Sequence, residues 1–449
     1  MAKYSVLLLL LCLVSAEAAG TEDGSESWGY VEVRPKAHMF WWLYRSPNRT
    51  DKGSTPWPTV LWLQGGPGAS GVGLGNFQEI GPLDVYLHPR NSTWLQKANL
   101  LFVDNPVGTG YSYVEDETLF VKSDVEAAND LTTLLKNLYN SDERLQKSPL
   151  TIVAESYGGK FAVTTGLAIA NAIKAGELKL QFSGVALGDS WISPEDFVLA
   201  WGPLLKDVSR LDSNGAEQSN SLAEKIKQEI AEGQYTYATS TWSELENLIS
   251  MSSNNVDFYN FMLDSDMDPL ATTVLGLSQQ AVSLNKKYSL YLNSKADSDG
   301  DIDSLMNGEI KMKLKIIPAN VSWGGQSGEV FQALDGDFMK PRISEVDQLL
   351  DLGFNVTVYN GQVDLICATK GTEAWVQKLK WEGLKDFNKL KRTALHCGSK
   401  ETKAFVKSHR NFRFYWILGA GHFVPVDQPC ISLQMIADIT QSPATTATA

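Results

Sequence analysis

The strongest constraint on the fold is a short stretch in which an apolar run ends abruptly at a serine. Thr151–Ala154 is typical of a buried strand, Glu155 and Ser156 follow it, and Gly158 and Gly159 open a helix-like segment. Strand, sharp turn and helix in this order form the pattern of a nucleophile elbow, which presents the serine hydroxyl on a strained bend. We expect Gly158 to supply a positive φ at this bend. Taken alone, the pentapeptide also fits a serine that caps the helix.

The composition permits a large core and excludes one class of partner. The chain has 449 residues, of which 43% are hydrophobic, and large α/β folds of this length occur as one domain with an insertion. Its formal net charge is −13. A nucleic-acid partner is therefore not expected, because there is no basic surplus to neutralise phosphates.

The N-terminus and four glycosylation motifs indicate the secretory pathway. Lys3 precedes an apolar run, Val6–Val14, and small residues follow, so residues 1–19 are interpreted as a signal peptide. The run is too short to span a bilayer, and no membrane association is expected after cleavage. We expect a secreted or lysosomal protein. Asn-x-Ser/Thr motifs predict glycosylation at Asn48, Asn91, Asn320 and Asn355.

Few cysteines remain after signal removal. Cys12 leaves with the signal, and Cys367, Cys397 and Cys430 stay in the chain. At most one internal disulfide forms, and the sequence leaves open which two cysteines pair. The fold therefore depends on its core and not on a disulfide framework.

Further along the chain, apolar strands alternate with helical segments. The alternation predicts a mostly parallel sheet, with core regions at 27–190 and 344–441. Residues 191–343 contain long amphipathic segments and are interpreted as a helical cap inserted into that core. The low-complexity tail, 442–449, is expected to be disordered. The predicted strands include Pro58–Gln64, Asn99–Asp104, Phe182–Gly188, Asn355–Tyr359 and Phe412–Leu418, and the predicted helices 123–139, 157–174 and 428–440.

Three polar residues follow apolar strands directly. Ser156, Asp364 and His422 can therefore meet at the carboxyl edge of a parallel sheet, where ligands bind in such folds. Their order along the chain is the order of the α/β-hydrolase triad. Serine needs a base to take its proton, imidazole titrates near neutral pH, and an aspartate fixes the imidazole tautomer. Singly, His422 also fits a loop histidine and Asp364 a turn residue.

Other polar motifs have simpler interpretations. The glycine-rich loop at 65–68 follows an early strand, the place where this fold class supplies an oxyanion donor, although it also fits a plain turn. The acidic run 297–301 lacks calcium-ligand spacing and is interpreted as a solvated loop. We expect no metal and no cofactor. The remaining histidines are interpreted as structural or surface residues: His38, His88, His396 and His409.

Five sequence blocks together resemble the serine carboxypeptidases, an α/β-hydrolase family of secretory and lysosomal exopeptidases. They span nearly the whole mature chain and lie at 62–68, 104–112, 155–159, 360–364 and 421–425. The resemblance implies a triad of Ser156, Asp364 and His422. It also implies oxyanion donation from the backbone N–H groups of Gly66 and Tyr157.

The resemblance further implies how a peptide's terminal carboxylate is held. Glu155 and Gln64 are implied to bind it, which requires a protonated Glu155 and therefore favours acidic pH. Three positions depart from the family pattern. Gln64 replaces the usual Asn, Gln78 is aligned with a supporting Glu and would remove one proton, and Ala69 replaces a cysteine. The first two departures argue against efficient carboxypeptidase activity and against an acidic pH optimum.

The sequence thus favours a serine carboxypeptidase that hydrolyses C-terminal residues of peptides or small proteins through an acyl-enzyme. Two alternatives stay open. Weaker carboxylate recognition fits an esterase or acyltransferase of the same fold, and a non-catalytic secreted binding protein is the third interpretation. The complete triad speaks against the last. Substrate preference, proteolytic processing and the formation of a homodimer are left open by the sequence.

Overall fold

One twisted sheet organises the molecule. The computed structural model describes residues 19–49, 56–265 and 302–443. Within these ranges the strand order is β1-β2-β3-β5-β4-β7-β8-β9-β12-β11-β10, and β6 pairs with β3. The strands are β1 (Ala19–Gly20), β2 (Glu26–Arg34), β3 (Ala37–Tyr44), β4 (Thr59–Leu63), β5 (Asn99–Val103), β6 (Tyr113–Val114), β7 (Leu150–Glu155), β8 (Phe182–Gly188), β9 (Asn355–Gly361), β10 (Thr393–His396), β11 (Thr402–His409) and β12 (Phe412–Ile417).

The centre of the sheet is parallel and its edges are antiparallel. β5, β4, β7, β8, β9 and β12 pair in parallel, while β1–β3 and β10–β11 extend the two sides in antiparallel fashion. Every residue of β4, β5 and β7 is buried. Such continuous apolar runs are typical of strands covered by helices on both faces. The α/β-hydrolase fold with a mostly parallel central sheet is confirmed.

Helices cover the sheet and fill the connection between β8 and β9. The α-helices are α1 (Asp124–Ser141), α2 (Glu143–Gln146), α3 (Gly158–Lys174), α4 (Pro194–Asp207), α5 (Ser213–Ala231), α6 (Tyr235–Ser252), α7 (Ile302–Leu305), α8 (Lys311–Leu314), α9 (Gly328–Ala333), α10 (Asp335–Phe338), α11 (Ile343–Asp351), α12 (Thr369–Val376), α13 (Leu384–Lys389), α14 (Val424–Asp427) and α15 (Pro429–Thr440). π-Helices span Gly71–Ile80 and Met306–Ile310, and short 3₁₀ turns span Trp94–Gln96 and Glu117–Leu119.

The helix that precedes the elbow strand illustrates how sequence sets these boundaries. α1 begins after Ser123, whose side chain accepts the N–H of Glu126. This cap satisfies a donor that the first helical turn leaves unpaired. The apolar face of α1 includes Leu131, Leu134 and Leu135, all buried, and it packs against α3. The two helices thereby support the turn between β7 and α3.

Some predicted segments lie outside the described residues. These are most of the predicted signal peptide (1–18), the acidic run 297–301 and most of the tail (444–449). Between β8 and β9 the described residues include helices α4 to α11, and residues 266–301 of this connection lie outside the described ranges. In the described part of the chain, each helix is too short or too polar to cross a membrane.

The cysteine pairing is resolved by the structure. Cys397 and Cys430 form a disulfide with Cα atoms 6.1 Å apart. It ties the β10–β11 connection to the start of α15. Cys367 is a free thiol and is buried.

Candidate active site

The turn after β7 has the strained geometry of an elbow. Ser156 has a φ of +59°, a left-handed conformation that is unusual for a non-glycine residue. Its N–H donates to the carbonyl of Gly188 at 3.0 Å, and its carbonyl accepts from Gly159 and Trp191. The expectation of a positive φ at Gly158 is wrong, because the strain lies at Ser156 itself. Gly158 is needed for space, since a Cβ there would lie 2.4 Å from the carbonyl oxygen of Leu63.

Asp364 and His422 meet in the interior. Asp364 follows β9, His422 follows β12, and the two strands are parallel neighbours. Nδ1 of His422 lies 3.0 Å from Oδ2 of Asp364, and both side chains are fully buried. Nε2 of His422 is buried and has no hydrogen-bond partner among the described residues. This nitrogen is therefore available to a group that the apo structure does not supply.

A narrow pocket opens at the elbow. Ser156, Gly66 and Tyr157 lie on one side of it. The backbone N–H groups of Gly66 and Tyr157 donate to no acceptor within the described ranges. Gly66 has a φ of +102°, which turns the loop at 65–68 in a way that a side chain would oppose. Two unpaired donors beside a serine hydroxyl are the arrangement that an oxyanion requires.

The rest of the pocket wall comes from residues that sequence reasoning missed. Aromatic and aliphatic side chains and one amide line the same pocket: Trp191, Tyr259, Gln326 and Phe338 from the segment between β8 and β9, and Ile366 from beyond β9. The insertion also reaches the histidine, because the N–H of His422 donates to the carbonyl of Tyr259 at 2.8 Å and their rings lie 5.2 Å apart. No motif marks these residues, since their roles depend on the tertiary path of the insertion.

A buried polar cluster lies beside the elbow. Nε2 of Gln64 donates to Glu155 at 2.8 Å and to Glu79 at 3.0 Å. Its Oε1 accepts from the indole of Trp62 at 2.6 Å. All three polar residues are almost completely buried. The longer side chain of Gln64 is therefore accommodated, with its amide between two carboxyl groups.

The cluster corrects the expectation for Gln78. The carboxyl group that joins Gln64 and Glu155 belongs to Glu79, the next residue in the π-helix, so this network has not lost a proton-carrying group. Gln78 is also buried, beside the cluster in sequence. Burial raises the pKa of Glu79, and hydrogen bonds from Glu155 and Gln64 act in the opposite direction. Two adjacent buried carboxyl groups cannot both ionise at low cost, so this arrangement favours keeping one proton on the pair.

A network of buried ion pairs contacts Tyr157, the residue that follows Ser156 in the elbow. The hydroxyl of Tyr157 donates to Asp124 at 2.7 Å. Lys160 lies 3.4 Å from the same carboxylate and donates to the carbonyl of Phe338 at 3.1 Å. Arg342 bridges Asp124 at 2.8 Å and Asp337. Helices α1 and α3 are thereby tied to the pocket wall at Phe338.

The other histidines lie away from this cluster of groups. His38 contacts Glu115 at 3.0 Å, and His88 is exposed beside Asp84. His396 contacts the carbonyl of Glu401. His409 packs edge-on against the ring of Trp381. These contacts agree with structural or surface roles.

One group of residues has ligand atoms close enough to hold a metal ion. Asp364, Cys367 and His422 have such atoms within 4.8 Å of one another, and it is the one such group in the described ranges. Two of its three members already bind each other through the Nδ1–Oδ2 hydrogen bond. The donor set thus serves the imidazole and gives no argument for a resident metal.

Comparison with known proteins decides the family. A sequence model described as serine carboxypeptidase matches residues 17–442. The chain belongs to the serine carboxypeptidase family. It is therefore a serine-type carboxypeptidase hydrolase by family, as the five sequence blocks predict.

Individual relatives agree with this assignment. Serine carboxypeptidase-like 51 of Arabidopsis thaliana is 60% identical over 98% of both chains. The retinoid-inducible serine carboxypeptidase of Rattus norvegicus is 49% identical over 97% of both. The segment Leu187–Pro194 and the tripeptide Met339–Pro341 predict similarity to the latter, which is confirmed. A prohormone-processing carboxypeptidase of Saccharomyces cerevisiae shares the fold, with a TM-score of 0.75, 22% identity and coverage of 93% and 91%.

Proposed function

We propose that this serine carboxypeptidase removes C-terminal residues from peptides with Ser156, Asp364 and His422 as its triad. The observation that carries the proposal is the buried hydrogen bond between His422 and Asp364, which leaves Nε2 of the histidine without a partner in the described residues. Tyr259, which contacts His422, lines the pocket that also contains Ser156. A histidine held in one tautomer by a buried aspartate is suited to accept a serine proton. The structure and the sequence order together support these roles.

In the proposed acylation step, Nε2 of His422 takes the proton of the Ser156 hydroxyl while Oγ attacks the scissile carbonyl. The oxyanion receives hydrogen bonds from the N–H groups of Gly66 and Tyr157. His422 then returns the proton to the departing amine, and the terminal amino acid leaves. Water, activated by the same imidazole, hydrolyses the ester on Ser156 and restores the enzyme.

Recognition of the substrate's terminal carboxylate is assigned to the cluster of Gln64, Glu155 and Glu79. A substrate carboxylate can approach this cluster only while a proton remains on the carboxyl pair, because like charges in a buried site repel strongly. The raised pKa of Glu79 extends that protonated form to less acidic solution. We therefore propose activity that is greatest in acid and declines as the pair ionises.

We propose that the protein is processed and delivered through the secretory pathway. Signal cleavage near residue 19, entry to the secretory pathway and a secreted or lysosomal destination fit the N-terminal pattern. The four sequon asparagines are exposed, as glycosylation requires: Asn48, Asn91, Asn320 and Asn355. The division into core regions at 27–190 and 344–441 with a cap at 191–343 remains our proposal, and so does a homodimer.

The test compares matched peptides with a free and an amidated C-terminus, from acidic to neutral pH. We expect amino-acid release from the free peptide alone, strongest in acid and absent in Ser156→Ala. Release that ignores the state of the C-terminus would favour the esterase or acyltransferase alternative. A wild-type Ser156 that does not react with a fluorophosphonate probe would favour a non-catalytic binding protein.

A further inference from the structure

A second buried aspartate lies beside the triad. Asp189 follows β8, in the segment Leu187–Pro194, and its side chain is fully buried. Its N–H donates to the carbonyl of Tyr359 at 2.9 Å, and its Oδ1 accepts the N–H of Gly361 at 2.7 Å. A φ of +40° turns the residue into this position. The backbone therefore aims the carboxyl group at the end of β9, where Asp364 begins its turn.

Both residues are anchored on Gly361, whose N–H donates to Asp189 and whose carbonyl accepts the N–H of Asp364 at 3.4 Å. Each has one oxygen that is buried and finds no protein donor in the described ranges: Oδ2 of Asp189 and Oδ1 of Asp364. An unsatisfied buried carboxylate oxygen is costly, and two in one site are costlier still. A single proton shared between them removes both deficits. Because Oδ2 of Asp364 already faces His422, Asp189 is the member that carries the proton.

We propose that Asp189 is a protonated positioning residue, which donates a hydrogen bond to Asp364 and holds that carboxylate in line with His422. The inference deepens the proposed triad and rests on it. It adds one member, Asp189, to the proposed triad of Ser156, His422 and Asp364. The added residue touches neither substrate nor reacting atoms.

The surroundings favour the protonated form. Burial raises the pKa of Asp189 well above its usual range, and the carboxylates of Asp364 and Asp427 add to this effect. The other titratable groups that face it are the phenol of Tyr359 and the thiol of Cys367, whose pKa values burial also raises. The N–H of Gly361 favours the charged form, but burial and the two carboxylates outweigh it.

Two substitutions test whether Asp189 acts by donating a hydrogen bond to Asp364 or only by filling space. Asp189→Asn keeps an oxygen for the Gly361 N–H and supplies a permanent N–H donor to Asp364, and asparagine tolerates a positive φ. Asp189→Gly keeps the backbone conformation but removes both hydrogen bonds. The readout is the rate at which a fluorophosphonate labels Ser156 as a function of pH, since labelling needs the triad but no substrate carboxylate. Proton NMR of the His422 Nδ1–H is the second readout.

We expect Asp189→Asn to label within about threefold of wild type and to keep the deshielded Nδ1–H resonance. Asp189→Gly should label between about tenfold and a hundredfold more slowly, because a displaced Asp364 no longer aligns the imidazole. Its dependence of labelling on pH should also change, because the hydrogen bond that orients Asp364 is gone. Folding of each variant is checked by its urea midpoint.

The inference is overturned if folded Asp189→Gly labels at the wild-type rate with an unchanged pH profile. It is equally overturned if Asp189→Asn falls as far as the glycine variant, because the amide supplies the donor. Failure of the proposed carboxypeptidase function would look different. In that case wild type and Asp189→Asn would label normally, yet neither would release amino acids from the free peptide.

Discussion

Replacing Lys160 by methionine tests the ion network behind the elbow. Its ammonium group is fully buried, 3.4 Å from Asp124, and donates to the carbonyl groups of Asp337 and Phe338. Methionine fills similar space but leaves Asp124 and Asp337 with Arg342 as their remaining buried cation. Removing one partner of a buried ion pair costs about 3–5 kcal/mol, and the carbonyls also lose their donor. We expect Lys160→Met to lower the free energy of unfolding by that amount.

The assay is urea denaturation followed by tryptophan fluorescence, with Lys378→Met as the matched control. Lys378 pairs with Asp196 at 2.9 Å, but its side chain is 45% exposed. Solvent screening limits such a pair to about 1 kcal/mol or less. If both variants lose the same small amount at an unchanged m value, the network behind Tyr157 contributes no more than a surface pair, and our reasoning fails.

Two further predictions concern the carboxylate cluster and the pH dependence of stability. Gln64→Leu removes hydrogen bonds to two carboxyl groups, each worth about 1.5–3 kcal/mol. The value of kcat/KM for free peptides should therefore fall at least about tenfold, while fluorophosphonate labelling of Ser156 persists. An equal loss of labelling would contradict this prediction. Burial raises the pKa of Asp104 to about 6. The folded state then binds more protons than the unfolded state between pH 4 and 6, so the free energy of unfolding should fall by about 3 kcal/mol as pH rises through this range. In Asp104→Asn the urea midpoint should change much less with pH over the same range.

The sequence was sufficient for the sheet and for residues at strand ends. Ser156, Asp364 and His422 each follow a short apolar run, and the carboxyl ends of parallel strands share an edge. The contact between Asp364 and His422 could therefore be predicted without coordinates. Helices α5 and α6 could also be predicted, because long amphipathic segments have a recognisable helical period.

The sequence could not predict the orientation of individual side chains in the site, for physical reasons. Gln78 and Glu79 are adjacent polar residues in a π-helix, whose wider turn changes the direction of each side chain relative to an α-helix. Spacing alone could not tell which one faces Glu155. Likewise, the sequence predicts a positive φ at Gly158, whereas the structure has the positive φ at Ser156. Gly158 is needed because a Cβ at this position would clash with the carbonyl oxygen of Leu63. Tyr259 and Phe338 reach the pocket through tertiary packing, which leaves no local signature.

The pairing of β8 with β9 has a consequence for how the enzyme is made. Gly184 pairs with Asn355 and Gly188 with Tyr359, so all residues between β8 and β9 must be synthesised before β8 gains its second neighbour besides β7. Closing so long a loop has an entropic cost that slows strand pairing. Until β9 pairs with it, β8 presents an unpaired apolar edge to other chains. We predict that a nascent chain becomes reactive to fluorophosphonates only after β12 has emerged, although Ser156 is translated much earlier. Labelling of ribosome-bound chains truncated before residue 355 would contradict this order of assembly.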